Sequence, residues 1–273
     1  MASFGYQVAG FGAGGGILGQ VDAVNYNGTN SYFSVEGGTT DLSDNFDVDN
    51  TMISFVTWLK PTSSLTGTEN FTIFGLFDGT GNADGIKLAI FTGGGYGAAL
   101  QFSYGDRGSE DHRLIKAIPL PTTRFTCVMI NLPVGFTSDA EMWYNNGASL
   151  IDANPTLNPT STQGSLYTPK EPFIGKDPED GRHWPGCIGP IWMTDEHIDF
   201  SVAANREKFT DSTGQGFIKD LGADGSIPTG TQPKIYFKGN ASNITQHGSL
   251  SLGTGTLTRN NLTNCNNGIV ITE

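Results

Sequence analysis

The segment at residues 51–61 reads TMISFVTWLKP, and β-branched and aromatic residues take most of its positions. Such side chains favour strands, where they pack against neighbours on a pleated surface. Similar short runs recur along the chain with Gly, Pro, Asn and Asp between them. We interpret as strands residues 30–36, 51–60, 71–78, 85–92, 98–104, 113–118, 124–131, 140–145, 172–176, 187–194, 234–238 and 249–258.

The spacing of these runs leaves no room for regular strand–helix–strand units, so it indicates an antiparallel sandwich. The 38 Gly and 13 Pro residues supply the many turns that short strands need. One helix is predicted from Ser201 to Phe209, with Ser201 capping its first turn and Val202 on the same face as Phe209. The predicted fold is therefore an all-β antiparallel β-sandwich of jelly-roll type with one short helix.

Aromatic and branched residues of three predicted strands are expected to fill the layer between the two sheets, because each aromatic side chain buries a large apolar area. Ligands or partners would then contact the concave face of a sheet and the rim loops. The predicted core residues are Ile53, Phe55, Trp58, Phe74, Phe77, Ile188 and Trp192.

The chain divides into three parts by composition. Residues 1–20 form a Gly-rich N-terminal arm, residues 21–258 the sandwich, and residues 259–273 an Asn-rich C-terminal tail. The tail ends in Ile269–Thr272, either a closing strand or a contact with a neighbour. The arm matches a dinucleotide-binding glycine pattern, but no strand precedes it, so we expect it to lie along another subunit. The arm residues that we assign to assembly are Gly10, Phe11, Gly12, Gly14, Gly15 and Gly16.

Charge and apolar runs restrict the partners. The formal net charge of −12 opposes phosphate binding, so nucleic acid is not expected as a ligand. No apolar run approaches the length of a membrane span, and the first residues lack the features of a secretory signal, so we expect synthesis and residence in a cytosol.

Cys127, Cys187 and Cys265 are odd in number and far apart, which fits neither a disulfide framework nor a zinc site. We expect Cys127 and Cys187, which lie in apolar β-like segments, to be small core residues.

Several segments resemble a known family. Residues 25–33 and 51–61 resemble the opening of concanavalin A-like, laminin-G-like domains, in which an Asn/Asp-Gly loop leads to the first strand and a later strand carries Trp before Lys-Pro. Residues 173–177 and 184–193 resemble the penultimate strands of that family. Residues 195–201, 206–209, 220–230, 233–237 and 253–257 resemble laminin-G-like proteins encoded by tailed bacteriophages.

The resemblance covers roughly residues 22–258 and implies a structural virion protein of a tailed phage. Such a protein would decorate the capsid or belong to the tail or its fibres, made in the host cytoplasm and resident in the virion. It would act by contact with other virion proteins and by adhesion to a host surface glycan, as a homo-oligomer such as a trimer, without nucleic acid or membrane as partner. The alternatives are a free carbohydrate-binding lectin-like module and a glycoside hydrolase of the same fold.

Catalysis is not expected. Glucanases with this sandwich carry the pattern Glu-x-Asp-x-x-Glu on one strand, and the chain contains neither it nor a Gly-x-Ser-x-Gly elbow. Asp195, His197 and Asp199 would share one face of an extended segment and so could hold a metal. Capping of the following helix is the favoured interpretation, since carboxylates complement its positive end.

Two further sets of residues are candidate binding sites. The loop aromatics Tyr96, Tyr104, His183 and Trp184 are of the kind that stacks on sugars, with packing inside a loop as the alternative. No cofactor is expected apart from calcium, for which Asp78, Asn82 and Asp84 offer oxygen ligands at nearby positions. Ordinary turn chemistry is the alternative for these three residues.

Overall fold

Antiparallel strands make up almost all of the computed structural model, which describes residues 17–36, 40–41, 52–65, 70–77, 85–92, 99–105, 112–133, 141–145, 150–152, 156–157, 169–176, 182–211, 216–250, 256–266 and 268–272. The elements are β1 (Ile17–Val21), β2 (Val24–Asn27), β3 (Tyr32–Glu36), β4 (Thr40–Asp41), β5 (Met52–Pro61), β6 (Asn70–Phe77), β7 (Gly85–Phe91), β8 (Ala99–Gly105), β9 (His112–Ala117), β10 (Thr126–Pro133), β11 (Glu141–Asn145), β12 (Leu150–Asp152), β13 (Thr156–Leu157), β14 (Pro169–Ile174), β15 (Pro185–Thr194), α1 (Ala203–Arg206), β16 (Ile235–Lys238), β17 (Thr245–Gln246), β18 (Thr256–Asn260), β19 (Thr263–Asn264) and β20 (Ile269–Thr272).

Two nine-stranded sheets face each other. Sheet I has the order β12-β11-β10-β5-β15-β16-β17, with β2 paired to β15 and β19 paired to β2. Sheet II has the order β13-β9-β8-β7-β6-β14-β3-β18, with β4 paired to β14. The strands β1 and β20 form a separate two-stranded ribbon. The arrangement confirms the predicted all-β antiparallel sandwich of jelly-roll type with one short helix.

The inner faces of the two sheets form one apolar core. Ile53, Phe55 and Ile188 of sheet I and Phe74 of sheet II lie in it as predicted, and the Phe55 and Phe74 ring centroids are 5.8 Å apart. The predictions for Trp58 and Trp192 are wrong, because both side chains lie on the outer face of sheet I. The side chain of Phe77 lies outside the described part of the chain.

Two geometric rules explain these differences. Successive side chains of a strand point to opposite faces, so Trp58 cannot share a face with Ile53 and Phe55. In β15 the register shifts between Ile188 and Ile191, and this bulge reverses the alternation. Trp192 therefore points outward although Ile188, four residues earlier, points inward.

A third layer covers the outer face of sheet I. Residues that follow β15 pack on Trp58 and Trp192, and the Trp192 and Phe209 ring centroids are 5.0 Å apart at 69°. Trp192 Nε1 also donates to the carbonyl of Gly225 at 2.9 Å. This face of the sandwich is therefore a second core, not an open binding face. The apolar residues that the third layer supplies are Ile198, Phe200, Phe209, Ile218, Leu221 and Ile269.

The helix is shorter than predicted. It begins at Ala203 and ends at Arg206, and its N-cap, Val202, makes no side-chain capping bond. Asp199 instead accepts hydrogen bonds from the backbone N–H and the hydroxyl of Ser201, which holds Ser201 in a turn before the helix. Val202 is 45% exposed, whereas Phe209 is buried, so the predicted shared face is wrong. No helix within the described ranges is long and apolar enough to cross a membrane.

The first and last strands that the structure describes pair with each other. Strand β1 runs antiparallel to β20, with Val21 opposite Ile269, so the predicted boundary of the arm at residue 20 falls inside a strand. Of the two alternatives for Ile269–Thr272, the structure shows the closing strand. The arm residues Gly10, Phe11, Gly12, Gly14, Gly15 and Gly16 lie outside the described residues.

The cysteines divide into a free thiol and a pair. Cys127 is a free, fully buried core residue, as predicted. The prediction for Cys187 and Cys265 is wrong, because they form a disulfide with their Cα atoms 5.8 Å apart. The two cysteines are 78 positions apart in the sequence, so nothing local shows that β2 brings both into one neighbourhood. Cys187 lies opposite Asn25 of β2, and the Cys265 amide donates to Ala23 just before that strand.

Candidate functional site

A cleft with a volume of about 490 Å³ opens beside the β16–β17 edge of sheet I. Its walls come from the β1–β2 turn, the segment 218–222 and the hairpin of β16 and β17. Apolar side chains line it together with carboxylates, ammonium groups, an amide, a hydroxyl and an imidazole. The lining residues are Val21, Asp22, Ile218, Lys219, Asp220, Leu221, Gly222, Tyr236, Lys238, Gly239, Asn243, Thr245 and His247.

Tyr236 is an aromatic element of this cleft. Its neighbours Ile235 and Phe237 point into the inter-sheet core, so alternation places Tyr236 on the outer face. Gly225 packs against its ring, where an added Cβ would lie 2.8 Å from Cδ1, and Lys238 Nζ lies 5.2 Å from the ring centroid. Because the side chain is only 3% exposed, it fills space and does not offer a free face for stacking.

The phenol of Tyr236 is a hydrogen-bond donor at neutral pH. Burial raises its pKa well above the ordinary value, and the carboxylates of Asp220 and Asp224 raise it further. Both causes disfavour the phenolate, since one removes water and the other adds like charge. The hydroxyl therefore keeps its proton over the physiological range.

Lys238 and His247 differ in charge at pH 7, because Lys238 is an ammonium ion and His247 is neutral. Burial lowers the pKa of Lys238, while Asp220 and Asp224 oppose this shift, and its ammonium donates to the Gly222 carbonyl at 3.0 Å. Burial, and then the charge of Lys238, lower the pKa of His247 below its usual 6.5. The imidazole is therefore neutral at pH 7, with one nitrogen as donor and the other as acceptor.

The rim of the cleft is held by local hydrogen bonds. The Asn243 amide oxygen accepts from the Asn240 backbone N–H at 2.7 Å, and the Asp220 carboxylate accepts from that of Gly222 at 2.9 Å. Gly239 has φ of 126°, and a Cβ there would lie 2.6 Å from the Asn243 amide oxygen. Only glycine at 239 therefore allows this approach. The rim thus presents oriented donors and acceptors in a concave site.

The predicted aromatic pair is not a surface platform. Trp184 is fully buried in the inter-sheet core, and His183 is only 8% exposed. The His183 Nδ1 atom lies 3.0 Å from the Ser31 carbonyl, and its backbone bridges to Thr72 and Lys176. The assignment of His183 and Trp184 to sugar stacking is therefore wrong, because this segment joins sheet II and places its indole between the sheets.

The remaining predicted site residues either lie outside the described residues or have other partners in the structure. Tyr96 and the calcium candidates Asp78, Asn82 and Asp84 lie outside the described residues, as does the side chain of Tyr104, which belongs to β8, so these stay predictions. Asp195 forms an ion pair with Lys234 at 3.3 Å, and Asp199 binds Ser201. Across the described ranges, no group of three His, Cys, Asp or Glu side chains is arranged to hold a metal.

The cleft could not be predicted from the sequence. Its residues come from positions 21–22, 218–222 and 236–247, and none of these stretches carries a known motif. The sequence feature that could have indicated the cleft is the polar hairpin of β16 and β17. In it, Lys238, Asn243 and His247 follow the apolar residues of β16.

No family model matches the sequence, and no curated protein matches it. The fold is similar to that of a heptameric SAP-like pentraxin from Limulus polyphemus, with 11% identity, a TM-score of 0.50, and 92% of this chain and 95% of that chain covered. Domains LG4–5 of mouse laminin α1 match with 12% identity and a TM-score of 0.41, over 64% of this chain and 41% of that one.

The CBM40 module of the Ruminococcus gnavus IT-sialidase, bound to α2,3-sialyllactose, matches with 13% identity and a TM-score of 0.40. That match covers 69% of this chain and 98% of the module. At 11% identity the similarity to the pentraxin shows the fold alone. The chain is an antiparallel jelly-roll β-sandwich of the kind seen in that pentraxin.

Proposed function

We propose that the protein is a non-catalytic binding protein that holds a glycan in the cleft. The observation that carries the proposal is the composition of this cleft, in which neutral and charged donors and acceptors lie beside apolar side chains. Sugars present hydroxyl groups that both donate and accept, together with apolar C–H faces. A concave site with a few fixed polar groups on an apolar base is the usual form of a small-ligand site.

The charge states of the side chains agree with a neutral or weakly charged ligand. Asp22 and Asp220 line the same cleft as Lys219 and Lys238, so neither sign of charge dominates. His247 adds a neutral donor and acceptor, and Tyr236 remains protonated. A polyhydroxylated ligand can use each of these groups without the transfer of a net charge into the cleft.

The two carboxylates of the cleft favour binding over hydrolysis. A glycosidase acid is held in an apolar pocket that keeps it protonated near neutral pH. Asp22 and Asp220 are both solvent-exposed, and Asp220 already accepts the Gly222 backbone N–H. Neither carboxylate therefore lies in the kind of enclosed apolar pocket that a glycosidase acid occupies.

We also propose that this binding protein is a structural component of a tailed-phage particle, on the capsid or in the tail. The sequence resemblance of segments between residues 195 and 257 to phage-encoded laminin-G-like proteins supports this placement. Its partners would be copies of itself and other virion proteins. Mass spectrometry of purified particles tests the proposal, since a structural component is retained after banding, whereas a free lectin is removed by washing.

A glycan array with matched variants tests the binding site. His247→Ala removes a donor and acceptor from the cleft, and His197→Ala removes an exposed imidazole outside it. Loss of a hydrogen bond of about 1–1.5 kcal/mol predicts affinity for the selected glycan about 5- to 10-fold lower in the first variant only. No bound glycan, or equal losses in both variants, would contradict the proposal. Release of reducing ends from that glycan would instead identify a hydrolase.

A further inference from the structure

The disulfide connects strand β15 to the C-terminal segment of the chain. Cys187 lies in β15, which pairs with β5, β16 and β2 inside sheet I. Cys265 follows β19 and begins the C-terminal segment that ends in β20. The bond therefore attaches this segment covalently to the interior of the sandwich.

The C-terminal segment holds one wall of the cleft in place. The Ile218 amide donates to the carbonyl of Val270 in β20 at 3.0 Å. Val21, at the end of β1, pairs with Ile269 of the same strand. Ile218 and Val21 both line the cleft, so its wall is in direct contact with β20. The Asn264 side chain also accepts from the Ala241 backbone N–H at 2.9 Å, next to the rim.

The other attachments of this segment are small. In the described part of the chain β1 pairs only with β20, and β20 adds a single bridge, between Ile271 and Ile218. A two-stranded ribbon is marginal in water on its own. Strand β19 contributes two residues to its pairing with β2. Ile269 remains buried against the Trp58 side. Reduction is therefore expected to loosen the ribbon and the cleft wall while the sandwich persists.

The surroundings of the pair favour thiol–disulfide exchange. Lys60 is the cross-strand partner of Cys187, and its ammonium lies 3.5 Å from the carbonyl of Asn266, the residue after Cys265. A neighbouring cation favours the thiolate, which is the reactive form. Cys265 is 9% exposed and Cys187 is 3% exposed, so Cys265 is the more accessible residue of the pair.

We propose that the Cys187–Cys265 disulfide is a redox latch for the cleft, open in a reducing cytosol and closed after exchange with a small-molecule disulfide such as oxidised glutathione. One protein thiolate attacks that disulfide, forms a mixed disulfide and releases one glutathione thiolate. The second protein thiolate displaces the second glutathione. Two electrons pass from the protein to the oxidant, and the two thiol protons pass to the released thiolates or to water. Only the affinity consequence rests on the proposed glycan function.

Hydrogen exchange without any ligand tests the latch itself. The variants are the double substitution Cys187→Ala/Cys265→Ala and, as matched control, Cys127→Ala, which removes the free buried thiol. We expect the Ile218 amide and the amides of β1 to exchange at least 10-fold faster in the double variant and in wild-type protein reduced with a phosphine. The control should exchange like the wild type.

Each result separates the latch from the glycan proposal. Unchanged exchange at Ile218 after reduction overturns the latch, whatever the glycan result. Complete unfolding of both the double variant and the reduced wild type also overturns it, since a latch requires that the sandwich persist. Faster exchange in a protein that binds no glycan supports the latch and contradicts the proposed function. Faster exchange with at least 5-fold weaker glycan affinity supports both.

Discussion

Single residues show where local chemistry decides the structure. Gly175 has φ of 78°, and an added Cβ would lie 2.2 Å from Cδ1 of Tyr26. Its carbonyl accepts from the Trp184 backbone N–H, so this glycine joins the segment 182–184 to the core. The sequence marked His183 and Trp184 as loop aromatics, because nothing local shows that the chain returns into the sandwich at this point.

Gly175→Ala should destabilise the protein strongly. The left-handed backbone conformation costs a non-glycine residue about 1–2 kcal/mol, and overpacking of a core adds roughly 1–3 kcal/mol. Gly230→Ala is the control, because Gly230 has φ of 82° but nothing within 4 Å of an added Cβ. Urea unfolding should show a loss for the first variant that exceeds the second by at least 1 kcal/mol. Equal losses would contradict the close contact with Tyr26.

The pKa of His247 tests the electrostatics of the cleft. Burial is the larger cause of its lowered pKa, and the charge of Lys238 is the second. In Lys238→Met, an NMR titration should show the pKa of His247 raised but still below 6.5. An unchanged pKa would exclude the influence of Lys238.

Since the unfolded chain binds this proton more readily, His247 should lower stability as the pH falls through 6.5 towards its folded pKa.

At the scale of elements, the strands could be predicted from residue type, but their faces could not. The run from Cys187 to Thr194 is recognisably a strand, yet the bulge between Ile188 and Ile191 decides which side chains point inward. A bulge depends on the partner strand, so period-two alternation within one run does not show it. Helix α1 likewise begins later than predicted, because Asp199 holds Ser201 in a turn before it.

The short strand β17 depends on one side chain. Gln246 accepts from the backbone N–H groups of Tyr236 and Gly248 and donates to the carbonyls of Lys234 and Leu250. Gln246→Ala should therefore lower the unfolding free energy by about 1–3 kcal/mol and accelerate exchange of the Tyr236 amide. Gln232→Ala, which removes an exposed bond to the His247 carbonyl, should change both quantities less. Similar effects of the two variants would contradict the central role of Gln246.

At the scale of the whole molecule, the sequence predicts the fold class better than the site. Many short β-rich runs with turn residues between them suffice to indicate an antiparallel sandwich. The third layer, the terminal ribbon and the cleft need contacts between residues that are distant in the sequence, such as Val21 with Ile269. The disulfide belongs to the same class of long-range contact.

Reduction of the disulfide should lower the global stability. In the chain-entropy view, a cross-link across 78 residues restricts the unfolded ensemble by about 4 kcal/mol, and removal of native disulfides typically costs about 2–5 kcal/mol. Guanidinium unfolding with and without a phosphine reductant measures this difference. A midpoint that does not change, in protein shown by mass to be reduced, would contradict a stabilising bond.

The position of a bound glycan tests the central claim most directly. Amide chemical shifts of the isotopically labelled protein would be followed by NMR during titration with the oligosaccharide that the array selects. The account predicts perturbations at residues 218–222, 236–239 and 243–247, saturating with the affinity measured independently. Perturbations centred instead on another surface, such as that around Tyr32 and Lys176, would contradict the assignment of the cleft as the binding site.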